Sequence, residues 1–195
     1  MDLKELLGML RDPTALITAV GTAGITAIIF IETGLLFPML PGDSLLVTAG
    51  LLASQPDGPV PLNVWTLGIM CSVAAIAGNT TGFFIGRRAG KALFAREDSR
   101  FFKRAYIEQA HAFYETHCGK TIFIAQFMPI VRTFAPFVAG LGRMNYAKFL
   151  TYSVAGTILW IGAFIFAGYL FGNIPIVKKN FTLVVFAIIF VSVLP

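Results

Sequence analysis

Charge and proline coincide twice in otherwise apolar sequence. One stretch reads Phe30-Ile-Glu32-Thr-Gly-Leu-Leu-Phe-Pro38-Met-Leu-Pro41-Gly42-Asp43-Ser, the other Gln126-Phe-Met-Pro129-Ile-Val-Arg132-Thr-Phe-Ala-Pro136-Phe. An ionised side chain in hydrocarbon is costly, so it normally faces a protected interior or a watery path. Proline and glycine break the helix beside each charge. Broken backbone at membrane depth survives only where it lines a cavity or is buried in protein. Carboxylates on one broken segment and a guanidinium on the other suit binding and release of a charged group, which is the chemistry of transport.

Each candidate has a structural reading beside the functional one. Glu32 is either a carboxylate at the end of a span, reaching interfacial water, or a desolvated acid that binds and releases a proton. Asp43 can cap a helix beginning at Ser44, and capping does not exclude a role in proton relay. Arg132 is flanked by Pro129 and Pro136 and by apolar residues, so snorkelling to water is difficult. Its planar fork suits phosphate, and it stays charged at all relevant pH; the structural alternative is pairing with Glu32 or Asp43. Arg87 and Arg88 either anchor topology or help to hold a headgroup. Pro38, Pro41, Gly42, Pro129 and Pro136 are the expected breaks of two re-entrant hairpins.

Groups for bond-breaking are lacking. The chain has no Ser/His/Asp arrangement, no Gly-x-x-x-x-Gly-Lys phosphate loop and no His-Glu-x-x-His. Cys71 and Cys118 give no metal-ligand spacing and suggest no structural disulfide. His111 and His117 are six residues apart, which is not the helical spacing of a metal pair. The expectation is a non-enzyme with no metal and no cofactor.

The elements that must position these residues lie in a membrane. Of 195 residues, 56% are hydrophobic and 13% are charged, against about 25% charged in soluble domains. The expected fold is all-α and integral to the membrane, a single domain over residues 1–195. It has about four transmembrane helices, two opposed re-entrant hairpins and an interfacial amphipathic helix. Residues 1–13 mix charges of both signs without a cleavage site and read as a short interfacial helix. Residues 14–31 form a first span. Residues 32–50 form the first re-entrant hairpin, because neither arm around its prolines reaches the ~20 residues a crossing needs. Residues 62–86 form a second span. Residues 87–118 hold a basic loop and an amphipathic helix, and 121–142 the second re-entrant hairpin. Residues 147–171 form a third span, and 181–194 begin a fourth that stops at Pro195, which suggests a C-terminal end cut short.

Net charge is +5, concentrated between Gly86 and Arg104. That cluster reads as a cytoplasmic loop, with attraction to anionic headgroups as a secondary role. No aromatic-interleaved groove accompanies it, so nucleic acid is not an expected partner. With this loop inside, the N-terminus is cytoplasmic; the first hairpin enters from outside and the second from the cytoplasm. Lys178 and Lys179 then fall outside, against the rule. Phe37 through Gly50 and Phe127 through Gly140 align without gaps, and each half continues to an Ala-Gly pair, Ala77-Gly78 and Ala155-Gly156. Together with opposed hairpins this points to an inverted repeat around a midplane site.

On these residues the chain resembles the DedA family, which shares the VTT domain with eukaryotic lipid scramblases. The matching pieces are Phe-Ile-Glu32-Thr-Gly-Leu, Pro41-Gly-Asp43-Ser-Leu-Leu, Gly82-Phe-Phe-Ile-Gly86-Arg87, and Phe127-Met-Pro129-Ile-Val-Arg132-Thr-Phe-Ala-Pro136-Phe-Val-Ala-Gly140. Gly156 with Trp160 and the stretch ending at Gly172 also match. The resemblance implies a multi-pass protein of the bacterial inner membrane that moves undecaprenyl phosphate, or in other members phosphatidylethanolamine, with a link to protons; a homodimer is compatible with it. It maps functional acids onto Glu32 and Asp43 and a functional arginine onto Arg132. The sequence departs from the family pattern at Gln126, where arginine is common, and at Asn79, where aspartate is common. The two changes remove charges of opposite sign, so these positions are expected to face each other as an amide pair. Any headgroup role of Gln126 is weakened by the change.

The expected function is therefore a lipid-phosphate transporter, with Arg132, Arg87 and Gln126 toward the headgroup and Glu32 and Asp43 as proton relay. A proton-coupled transporter of ions or small solutes uses the same residues without a lipid. A lipid-phosphate enzyme would need a nucleophile or metal site, and a scaffold has no use for intramembrane charge.

Overall fold

In a computed structural model the residues described are 13–35, 42–55, 62–94 and 120–174. Their regular structure is helical: α1 Pro13–Gly34, α2 Gly42–Ala53, α3 Val64–Phe94, α4 Lys120–Ala125, α5 Pro129–Leu141 and α6 Tyr146–Gly172. Residues 1–12, Pro38, Pro41, the sequence from Ala95 to Gly119 and that beyond Ile174 lie outside this description. So do the expected interfacial and amphipathic helices and the fourth span.

Local chemistry explains most helix ends. Proline opens α1 and α5, where a missing N–H costs nothing. The Asn63 side chain accepts from the amides of Trp65 and Thr66 at the start of α3. Asn145 does the same for Ala147 and Lys148 at the start of α6. At the end of α5, Met144 N–H bonds back to the Ala139 carbonyl while Arg143 takes φ 56°, a left-handed turn that usually favours glycine.

Two helices, over Val64–Gly90 and Tyr146–Gly172, are long and apolar enough to cross a membrane. Their outward residues are large and apolar, among them Trp65, Ile69, Val73, Ile158, Leu159 and Leu170. A surface of that kind is suited to lipid and not to water. Three sequence expectations change. First, α1 is not one straight span, because Gly21 has φ 59° and ψ −162°, a conformation reserved for glycine, and the helix breaks there. Second, α3 does not end at Gly86. Apart from Gly90, Arg87 through Leu93 are good helix formers without proline, so the helix carries on through the start of the basic stretch. Third, α2 begins at Gly42, which puts Asp43 inside its first turn and not at the cap. A carboxylate there complements the helix dipole.

The chain packs as two units. One comprises α1 to Ile29, α2, α3 to Ser72 and α6 from Ile161; the other comprises the end of α1 from Phe30, α3 from Val73, α4, α5 and α6 to Trp160. In the first unit, Gly50 of α2 lies against the Ile165 carbonyl, Gly168 against that of Val47, and Gly172 close to that of Leu51. In the second, Gly140 of α5 lies against the Phe83 carbonyl, Gly86 against that of Phe137, and Gly90 close to that of Leu141. The same contacts recur in the same register, so each unit seats a short helix on a Gly-x-x-x-Gly face of a long one. Val47, Gly50 and Leu51 correspond to Phe137, Gly140 and Leu141, as the gapless alignment of the two halves requires. The long helices correspond one turn away from the register that the Ala-Gly pairs suggest, with Gly86 matching Gly168. Close backbone approach fixes that register, and the Ala-Gly identity does not.

The second unit is knit by Phe83, which stacks on Phe149 at 4.5 Å between ring centroids and meets Tyr146 at 5.5 Å. Ile122, Ala125, Ala135, Ala139 and Met144 complete that core. It lies beside the α4–α5 turn, where the polar residues collect.

Candidate functional site

Glu32 and Arg132 meet in the second unit. The Arg132 Nη2 donates to Glu32 Oε1 in an ion pair whose side chains are 2% (Glu32) and 3% (Arg132) exposed. Glu32 is thus not a span-end carboxylate reaching water. It sits in the last turn of α1, beside the place where Gly34 and Gly78 let α1 and α3 come to backbone contact. Arg132 is carried in the first turn of α5, where its amide bonds the Met128 carbonyl. Pro136, buried against Gly82, has no N–H to offer the Arg132 carbonyl four residues back, so the helical ladder skips that rung.

A third member completes the arrangement. The Arg132 guanidinium carbon lies 4.2 Å above the centre of the Trp160 ring, and the indole is fully buried. Among the aromatic side chains, tryptophan offers a cation the best face. The guanidinium therefore has its carbon over the indole and its Nη2 toward the carboxylate.

The α6 face that carries Trp160 also carries Ser153, Gly156 and Thr157, which share one side of a helix by their spacing. Asn79 of α3 donates from Nδ2 to Ser153 Oγ at 3.1 Å and to Thr157 Oγ1 at 3.2 Å. Gln126, 2% exposed in the turn between α4 and α5, covers Gly156, where a Cβ would come within 2.8 Å of its Cγ. Asn79 and Gln126 thus converge on one stretch of α6, but they are not the expected amide pair. The hydroxyls of Ser153 and Thr157 take the Asn79 amide instead, and Asn79 Oδ1 has no hydrogen-bond partner among the described residues.

The other sequence candidates lie on α2, on α3 and at the head of α5. Asp43 belongs to the first unit, where it is partly buried in the first turn of α2, one residue before the buried Ser44. Arg87 is half-buried on α3; its backbone amide, together with Phe83, forms the surface on which Gly140 packs. Arg88 is exposed, as is Pro129 at the head of α5. Among the described residues no group of three or more His, Cys, Asp or Glu side chains could hold a metal ion. Trp160, Ser153 and Thr157 were not singled out by their chemistry in the sequence. The signal is there, in one polar stripe with a tryptophan at helical spacing along an otherwise apolar helix.

The sequence model of the VTT domain matches residues 40–170. Protein DedA of Escherichia coli is 50% identical over 86% of this chain and 76% of its own length. An uncharacterized membrane protein of Mycobacterium tuberculosis is 49% identical over 88% of this chain and 75% of its own. Inner membrane protein YqjA of Escherichia coli is 31% identical over 78% of this chain and 68% of its own. No solved structure matches. With lipid-suited helices around a buried polar site and half of its aligned residues shared with DedA, the chain belongs to the VTT-domain family of membrane proteins that includes DedA and YqjA.

Proposed function

We propose that the protein carries a phosphate-bearing lipid headgroup across the membrane, with Arg132 as the group that holds the phosphate and Glu32 as its resting counter-ion. The observation that supports this most is the buried Glu32–Arg132 pair. As a device for stability such a pair is poor, since apolar residues of similar size often do as well or better. It makes sense as an exchangeable site. A guanidinium fork accepts a phosphate with the same in-plane geometry as a carboxylate, so a phosphate monoester can take the place of Glu32. The displaced carboxylate, parted from Arg132 in a dry interior, then takes up a proton. One negative charge leaves Arg132 as another arrives, and a proton neutralises the first. Headgroup binding and proton uptake become one event.

In this reading Asp43 relays protons, while Arg87 and Gln126 are secondary headgroup contacts. The two proline-broken stretches of the sequence act as half-crossings that enter the bilayer from opposite faces. The lipid tail stays in hydrocarbon while the headgroup moves, and no bond is made or broken. By resemblance the substrate is undecaprenyl phosphate in a bacterial inner membrane. The test is headgroup translocation in proteoliposomes, comparing undecaprenyl phosphate with phosphatidylethanolamine, with and without a pH gradient. Faster movement of undecaprenyl phosphate that responds to the gradient supports the proposal. Failure to move either lipid above the protein-free rate overturns it.

A further inference from the structure

We propose that Trp160 is the positioning residue for Arg132, holding the guanidinium in place while its anionic partner is exchanged; this rests on the reading of Arg132 as the headgroup-binding group. The geometry separates two kinds of contact. The guanidinium carbon lies over the Trp160 ring, 4.2 Å from its centre, whereas Glu32 takes the N–H of Nη2. Carboxylate and phosphate both bind through the N–H groups in the guanidinium plane, so an exchange of one for the other leaves the indole under the guanidinium carbon in place. The indole is the partner of Arg132 that need not change.

Arginine has a long side chain with much rotamer freedom to lose. An arginine held only by Glu32 would be released whenever Glu32 is protonated, and each new headgroup would have to order it again. The cation–π attraction does not depend on the charge of Glu32. Trp160 is itself fixed. It is fully buried on the α6 face whose next turns are locked by Asn79 at Ser153 and Thr157 and by Gln126 over Gly156. The arginine therefore stands on a rigid support, which is the arrangement that reduces the ordering cost of binding.

Size alone could also explain a buried tryptophan, so the test changes the electron density of the ring and leaves its shape nearly constant. The chain has two tryptophans, Trp65 and Trp160. In a Trp65→Phe background, residue 160 is replaced by tryptophan carrying one, two and three fluorines. Undecaprenyl phosphate binding is measured in detergent micelles, and thermal unfolding is followed in parallel. The expected result is a stepwise loss of affinity with each fluorine, reaching roughly threefold to tenfold in the trifluoro form. Equal affinity across the series, with the unsubstituted protein binding normally, overturns the role of Trp160 and leaves the headgroup site standing. No binding even by the unsubstituted protein overturns the headgroup reading and this inference with it.

Discussion

Gly140 of α5 lies directly against the backbone carbonyl of Phe83 on α3, and no side chain larger than hydrogen fits between them. Gly50 has the same relation to Ile165 in the first unit. Gly140→Val and Gly50→Val are each expected to destabilise the protein by about 1–3 kcal/mol through overpacking. At Gly68 and Gly162 a Cβ would meet nothing within 4 Å, so Gly68→Ala and Gly162→Ala should gain about 0.5–1 kcal/mol of helix propensity. Thermal unfolding in detergent checks all four. Equal effects at the crowded and open positions would contradict the packing scheme.

The Glu32–Arg132 pair makes an opposite kind of prediction. Removing either partner takes this ion pair away from a charge that stays buried, so Glu32→Leu and Arg132→Met should each destabilise by about 3–5 kcal/mol. The double variant, with an apolar pair in the same place, should recover most of that loss. A double-mutant cycle on unfolding free energies measures the coupling. Additive losses in the double variant would mean that the two side chains do not act as a pair.

Arg143 takes a left-handed backbone conformation at the end of α5. Glycine adopts this conformation without the penalty of a Cβ. Arg143→Gly should therefore raise stability by about 1 kcal/mol, read as an increase in melting temperature. A decrease would mean that the arginine side chain contributes more than its backbone strain costs.

The sequence made the polar site legible because charge in apolar sequence has few permitted explanations. Glu32 and Arg132 stand out by residue type alone, and their ion pair is one of the two readings open to Arg132. The aromatic partner of Arg132 was harder to see. Trp160 looks like any buried aromatic residue until the guanidinium is placed over it. The opposite charges that Asn79 and Gln126 replace predict an amide pair, but hydroxyls on α6 compete for the Asn79 amide, and residue type alone does not weigh such competition. The repeat is legible in the short helices, where Val47-Thr-Ala-Gly50 parallels Phe137-Val-Ala-Gly140. It is misleading in the long ones, where the contacts of Gly86 and Gly168 fix the register. The break at Gly21 gave no warning, since nothing but its backbone angles distinguishes it from the small residues around it.

Transport through this site requires that the arginine edge that meets Glu32 is also the edge that meets phosphate. The most direct measurement is undecaprenyl phosphate translocation in proteoliposomes by the Glu32→Leu/Arg132→Met double variant, in which the pair is replaced by apolar groups and the fold is retained. The predicted result is a rate no greater than that of protein-free liposomes, beside rapid movement by the unaltered protein. Translocation by the double variant at the unaltered rate would show that the headgroup never uses this site.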